Sequence, residues 1–400
     1  MTANAAPLPA TCGPVQSSWP RFELDEREAV AGVLASGKVN ALVHGDECEN
    51  FASEFAEFIG SGQAICMANG TVTLEIALRA LGVGPGDEVI VPARSFFATA
   101  SCVAAVGALP VIADVLSPSQ NIDPASVERM ISARTKAVIC VHLAGWPCDM
   151  ATLMDICDRR GLFLVEDCAQ AHGAAIDGRK VGTFGDAASF SFCTDKIMST
   201  GGEGGLLVLR DDGVYRRAWS LKDHGKNRSK MTDGQSVPGQ FRYIHDSLGT
   251  NARMTEMQAA IGRAQLRKLP EWLEMRRMNA EVLSAALEGH PSLEVPELPA
   301  GITHAWYKFY AFVDPGRDDA EAFRAHMIAR LIALGIPCGT GSCPDMSLEL
   351  GLSDLGCRRD GTLENAHRLG RHTLMLLVDH TLDENDMARV ADALWEVAAT

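Results

Sequence analysis

The chain has 400 residues, 47% of them hydrophobic and 22% charged, a globular balance far from that of disordered chains. This length exceeds what one hydrophobic core usually organises, so two domains, or a large domain with an appendage, are expected. The formal net charge of −15 argues against nucleic acid or an anionic membrane surface as main partner, and no apolar run approaches the ~20 residues that cross a bilayer.

The first eighteen residues are rich in Ala, Pro, Ser and Thr without apolar periodicity, and read as a loose tail. The first basic residue is Arg21, so the basic-then-apolar pattern of a secretory leader is missing and a cytoplasmic setting is expected. The cysteines agree with that setting. The closest two are Cys338 and Cys343, no C-x-x-C pair occurs, and Cys66, Cys102, Cys140, Cys157 and Cys193 sit in apolar runs as small hydrophobes do. Neither disulfides nor a metal site is expected.

From Arg21 the pattern becomes periodic. Stretches 26–36 and 46–59 read as amphipathic helices. Short apolar runs at 88–91, 109–115, 137–143, 162–165, 188–192 and 205–209 then alternate with helical stretches such as 71–81, 124–131 and 150–160. That alternation predicts βαβ units, hence an α/β fold whose mostly parallel sheet carries helices on both faces. Past residue 210 the polar stretch 222–239 reads as a long loop, of a kind more often functional than idle. A strong helix at 255–269 follows, then a smaller α+β region with a strand at 306–313 and a closing helix at 384–397. The expected division is a tail to residue 18, a large domain over 19–270 and a small domain over 271–400.

Three local patterns carry chemistry. Asn69-Gly70-Thr71 opens a helix, offering free backbone N–H groups, a hydroxyl and the positive dipole end to a phosphate, although an ordinary capped helix looks the same. The apolar run 161–165 ends in Glu166 and Asp167, and ligands of open α/β sheets bind beyond such strand ends. A carboxylate there is partly desolvated, so its pKa rises unless a cation such as a protonated pyridine nitrogen lies against it. Lys196 follows the buried run 189–193 and precedes the turn 201–205, with four glycines around Glu203; such a lysine can be desolvated into a nucleophilic amine. A phosphate cradle, a buried acid and a lysine in this order are what pyridoxal 5′-phosphate requires.

At this point the chain resembles the DegT/DnrJ/EryC1/StrS family of fold-type-I, pyridoxal-phosphate-dependent sugar aminotransferases, over about residues 19–398. The resemblance rests on collinear stretches at 68–74, 82–92, 165–173, 185–186, 189–205 and 251–260. It implies a fold-type-I transferase with a seven-stranded, mostly parallel sheet and a smaller C-terminal domain. Lys196 would hold the cofactor covalently and shuttle the proton, and Asp167 would pair with the ring nitrogen. Gln170 would lie near the ring hydroxyl, Phe96 would stack on the ring, and Gly70, Thr71 and Ser191 would bind the phosphate. Asn251 would reach the phosphate of a neighbouring subunit, which implies a homodimer with composite sites.

The chain also departs from the family pattern. Arg94 stands where aromatic or small polar residues are common, and could clamp an acidic group of the donor or the sugar. Thr250 and Ala252 flank Asn251 in place of aromatics, and His44 replaces part of a polar-aromatic stretch that often touches sugar. Ser342 lies in a 339–344 segment that stands for a His/Pro-rich loop, and His224 falls on a loop bordering the site in relatives. His44, His224, Ser342 and Arg94 are therefore the candidate substrate contacts. His172 is expected to support the site, and the remaining histidines show no metal-ligand spacing.

The expected activity is transfer of an amino group from L-glutamate or L-glutamine to a keto-sugar, nucleotide-linked in most of the family, or to a cyclic ketone. The expected order is ping-pong, and the products would feed polysaccharide or antibiotic biosynthesis. Two alternatives remain open. One is an aromatising or dehydrating enzyme resembling aminohydroxybenzoate synthase, although family dehydratases replace the lysine by histidine. The other is a regulatory protein that keeps the fold without turnover.

Overall fold

The computed structural model describes residues 14–41, 45–232, 241–314 and 316–398. Eight strands form one sheet, in the spatial order Ala64–Met67, Gly205–Leu209, Ala187–Ser191, Phe163–Asp167, Thr135–Val141, Glu88–Pro92, Leu109–Ala113 and Arg358–Arg359. The pairings from Ala187–Ser191 to Arg358–Arg359 are all parallel, while Gly205–Leu209 is antiparallel to both its neighbours. Six of these strands fall on the predicted apolar runs. Buried on both faces, they read as unbroken runs of Val, Ile, Leu and Ala. The two edge strands were not foreseen: Ala64–Met67 is only four residues long, and Arg358–Arg359 carries no apolar signal at all.

This two-residue strand adds an eighth at the edge of the expected seven-stranded type of sheet, and it comes from the region assigned by sequence to the small domain. Charge fixes it. Arg358 donates to Glu88 Oε2 at 2.6 Å, and the same buried carboxylate takes bonds from Arg134 and the Ser132 hydroxyl. Burial alone would raise the Glu88 carboxyl, but Arg358 and its other partners hold it below the ordinary carboxylate value.

Helices cover both faces. Gly70–Ala80 and Ala98–Ala105 pack on one side with Leu74, Ile76, Ala100 and Val103 buried, and Met150–Arg160 lies in a separate core with Pro124–Met130. The predicted helix at 255–269 extends to Glu256–Ala286, 31 residues, passing through Pro270. The expected boundary at 270 therefore falls within a helix. The latter part of that helix packs on a four-stranded antiparallel sheet, ordered Leu293–Glu294, Phe309–Val313, Thr373–Leu376 and Cys338–Gly339, with Ala320–Ala333 and Glu384–Ala398 in the same core.

Residues 14–18, expected to be loose, lie instead against this smaller core. Val15 is buried and its N–H donates to the Gly335 carbonyl at 3.0 Å, while Ser18 N–H donates to the Thr381 hydroxyl at 3.0 Å. An apolar valine among polar neighbours was the one available signal. Among the described residues no helix is long and apolar enough to cross a membrane, and every cysteine is free.

Candidate active site

The parallel strands present their carboxyl ends to a cavity of about 1010 Å³. Its lining comes from the ends of five strands of the sheet and the turns that follow them: Asn69 to Val72, Ser95 to Thr99, Val141, Asp167 to Gln170, and Ser191 to Lys196, closed by Tyr307, Lys308, Tyr310 and 341–343 from the smaller region. This is where open α/β sheets bind ligands, because loops leave the strands there while helix N-termini point inward.

Gly70–Ala80 begins at the cavity. Asn69 caps it, its side chain accepting from Val72 N–H at 3.0 Å, an interaction worth about 1 kcal/mol. The Gly70 carbonyl is held by the Thr73 hydroxyl at 2.6 Å and the Ser189 hydroxyl at 3.2 Å. A Cβ at Gly70 would stand 2.8 Å from Ser191 Cβ and 3.3 Å from Ser191 Cα, so only glycine lets the helix N-terminus approach that hydroxyl. The result is a small cradle of N–H groups and the Thr71 and Ser191 side chains.

Strand alternation separates the two carboxylates that end Phe163–Asp167. Asp167 faces the cavity; Glu166 points to the opposite face, where it is fully buried. Glu166 accepts N–H bonds from Gly182, Phe184 and Gly185 at 2.7–2.8 Å and lies 3.1 Å from His142 Nε2, a fully occupied structural role. Asp167 is served less well. It accepts from the Thr99 hydroxyl at 3.0 Å and from Ala169 N–H at 3.1 Å, and burial pushes its carboxyl above the ordinary value despite these bonds and Lys196.

Lys196 enters from the turn after Ala187–Ser191. Its main-chain carbonyl accepts from Trp19 Nε1 at 2.8 Å, and its Nζ lies 3.6 Å from Asp195 Oδ1 and 5.1 Å from the Tyr307 ring centre. Asp195 also accepts the Tyr307 hydroxyl. Burial would raise the Asp195 carboxyl, but Lys196 and Tyr307 more than offset it and hold it low. Burial, with Asp195 adding to it, pushes the Tyr307 hydroxyl far up, so Tyr307 stays a protonated donor.

A lysine, a buried acid and an anion cradle thus share one cavity at the strand ends. The sequence matches the model of the DegT/DnrJ/EryC1/StrS aminotransferase family over residues 21–395. The protein belongs to this family, and it is an aminotransferase. The dTDP-3-amino-3,4,6-trideoxy-alpha-D-glucose transaminase of Streptomyces venezuelae is 33% identical over 96% of this chain and 95% of its own length. The GDP-perosamine synthase of Vibrio cholerae is 38% identical over 72% of this chain and 74% of its own. Among solved structures, the aminotransferase from Psychrobacter cryohalolentis superposes with a TM-score of 0.92 at 43% identity, covering 96% of this chain and 98% of that one.

The aminotransferase cavity gathers Gly70, Thr71, Phe96, Asp167, Gln170, Ser191, Lys196 and Ser342. Phe96 is 67% exposed, unusual for a phenylalanine and suited to a ring that lies open to a ligand. Gln170 Oε1 accepts Ala144 N–H at 2.7 Å, which fixes the orientation of its amide. Ser342 N–H donates to the Tyr310 hydroxyl at 2.9 Å.

Three other candidates stand elsewhere, and a fourth is not among the described residues. Arg94, expected to clamp an acidic group, does not line the cavity: it is buried, donating to Gln120 Oε1 at 2.7 Å and the Thr373 hydroxyl at 2.8 Å. His224 and Asn251 are both exposed and outside this chain's cavity. His44 lies outside the described residues. His172 is buried among Phe55, Phe190 and Phe192, and burial depresses its ring to about 3, so it supports the site as a neutral packing group.

Sequence reasoning missed Thr99, Asp195, Tyr307, Lys308 and Tyr310. Asp195 adjoins Lys196 and was legible in principle. Tyr307, Lys308 and Tyr310 are brought in by the smaller region, across more than a hundred residues, and no local pattern announces them.

Proposed function

We propose that this aminotransferase binds pyridoxal 5′-phosphate in the cavity and moves an amino group from L-glutamate or L-glutamine to a keto-sugar, nucleotide-linked, or to a related cyclic ketone. The observation that carries the reading is Lys196 Nζ and the Asp167 carboxylate facing one cavity beside the Gly70 cradle.

The residues fit this cofactor. Asp167 is a buried acid lacking a cation in direct contact among the described residues, and a protonated pyridine nitrogen supplies one. The space that a Cβ at Gly70 would fill suits a phosphate on the helix N-terminus, with the Thr71 and Ser191 hydroxyls as further donors. Phe96 offers an open aromatic face, and the orientation of Gln170 leaves its amide NH2 for a ring oxygen. When bound, the cofactor supplies an electron sink that stabilises negative charge on the carbon losing its proton.

This chain's own residues do the rest. Lys196 Nζ would hold the cofactor covalently and, as a free amine, would be the base that moves the proton of the donor. Asp167 holds a proton on the ring nitrogen. Thr99 and Ala169 N–H keep Asp167 in place, and the Tyr307 hydroxyl does the same for Asp195 beside the lysine. One cavity serves both substrates in turn, which is the basis of a ping-pong order. The test is spectroscopic: L-glutamate should bleach the chromophore of the holoenzyme and a nucleotide-linked keto-sugar should restore it. Persistence of the band with every amino acid would reject the reading.

The reading includes a homodimer, with a cytosolic setting in keeping with the free thiols. Asn251 is exposed, and nearby Phe241, Tyr243 and Leu248 are 77%, 88% and 88% exposed, an apolar cluster suited to a second copy. If each copy's Asn251 completes its partner's site, two dead variants should complement one another. Mixing unfolded-and-refolded Lys196→Ala and Asn251→Ala chains in equal amounts should recover about one quarter of wild-type activity, because half the dimers are mixed and each has one intact site. No recovery would place Asn251 outside the partner's site.

A further inference from the structure

Lys308 is a cation on the active-site wall for which the described residues supply no ion-pair partner. It directly precedes the strand Phe309–Val313, is partly buried, and reaches both the main cavity and a smaller adjoining one of about 210 Å³ beneath Trp19. Among the described residues its Nζ has no hydrogen-bond or ion-pair partner; its recorded contact is the Tyr307 ring, 4.9 Å from Nζ to the ring centre.

The nearby acids are already engaged. Asp195 accepts the Tyr307 hydroxyl and stands 3.6 Å from Lys196 Nζ. Asp379 accepts from the Thr381 hydroxyl at 2.6 Å and Thr381 N–H at 3.0 Å. Arg276, also lining this corner, adds positive charge; its Nη1 donates to the Trp306 carbonyl at 3.1 Å, and its buried Nε has no hydrogen-bond partner among the described residues. Burial, reinforced by Arg276, pushes the Lys308 amine below its ordinary value. A half-buried ammonium without a counter-ion is costly, and an arriving anion would relieve it.

We infer that Lys308 receives a carboxylate of the amino donor and so selects amino acids as donors. The inference rests on the function proposed above. Its geometric basis is that Lys196 and Lys308 line one cavity and flank one ring: their Nζ atoms stand 5.1 and 4.9 Å from the centre of the Tyr307 ring, which places them no more than the sum of those distances, 10 Å, from one another. An amino acid carries its carboxylate on the same carbon as the amine, so that group must lie close to the lysine the amine displaces. In a nucleotide-linked sugar the diphosphate leaves the anomeric carbon, on the far side of the sugar from a 3- or 4-keto group. The anion nearest to Lys196 is therefore the donor's, and a charge-assisted bond to it discriminates amino acids from simple amines.

The experiment is titration of Lys308→Met and Lys308→Arg holoenzymes with L-glutamate, following loss of the chromophore. Apparent affinity for L-glutamate should fall about 30-fold in Lys308→Met and return to within about threefold in Lys308→Arg, as expected for one charge-assisted hydrogen bond. Affinity of the apo-proteins for pyridoxal 5′-phosphate should match wild type, which a merely structural role would not preserve. Unchanged glutamate affinity in Lys308→Met, equal losses for glutamate and cofactor, or Lys308→Arg as weak as Lys308→Met would each overturn the inference. A wild-type enzyme that responds to no amino acid would instead overturn the proposed function along with it.

Discussion

Lys196→Ala is expected to fold normally, to purify without a covalently attached chromophore, and to lose transamination by about four orders of magnitude or more. The fold should survive because the side chain faces the cavity and makes one ion pair, at 3.6 Å to Asp195. Two bonds hold this turn, one from Trp19 Nε1 to the main-chain carbonyl of residue 196 and one from the Tyr307 hydroxyl to Asp195, and neither involves the side chain that the substitution removes. The loss should be large because one amine serves twice, as the attachment point and as the base. Lys308 is the other lysine of the cavity, but it reaches the site from a different element and is no substitute in position. Absorbance of the purified variant and its turnover with L-glutamate check this. A borohydride-reducible chromophore identical to wild type would contradict it.

Asp167→Asn should behave differently: the cofactor stays attached, and turnover falls by about a thousandfold, roughly 4 kcal/mol of barrier. The amide fills the same space but carries no charge, so it cannot hold a proton on the ring nitrogen. The local bonds can adapt. Ala169 N–H keeps its carbonyl acceptor, and the Thr99 hydroxyl, 2.8 Å from Ser95 Oγ, can turn to accept from the new NH2. Stability of the apo-protein should move the opposite way from activity. Burial raises the Asp167 carboxyl, so its contribution to apo-protein stability is greatest at low pH and declines as pH climbs through the raised value. At neutral pH the wild-type apo-protein bears that cost and the asparagine variant does not. Thermal melts of the two apo-proteins at pH 4, near the ordinary carboxylate value, and at pH 8 should show the variant gaining on wild type at the higher pH; a relative loss there would contradict the assignment of Asp167 as a buried acid awaiting a cation.

Much of the large sheet was readable because strands buried on both faces must be apolar throughout, and six such runs are plain. The exceptions are physical. Ala64–Met67 is too short to show a period, and Arg358–Arg359 is placed by its pairing with Leu109–Ala113 and by Glu88, not by hydrophobicity. That Gly70, Asp167, Ser191 and Lys196 would meet was equally readable, because they lie at strand ends where local sequence and local geometry coincide. The far wall was not. Tyr310 is an ordinary residue of an ordinary strand and Lys308 directly precedes that strand, and what places both at the cavity is packing across the chain. Arg94 shows the converse: it stands within the motif, yet its side chain leaves the cavity for Gln120 and Thr373, a direction that spacing cannot reveal.

The most direct test is to reduce the holoenzyme with borohydride, digest it, and locate the pyridoxyl group by mass spectrometry. The group should be found on the peptide containing Lys196 and there alone. Its recovery on another lysine, or its absence from every peptide of a protein that carries the cofactor, would contradict the account.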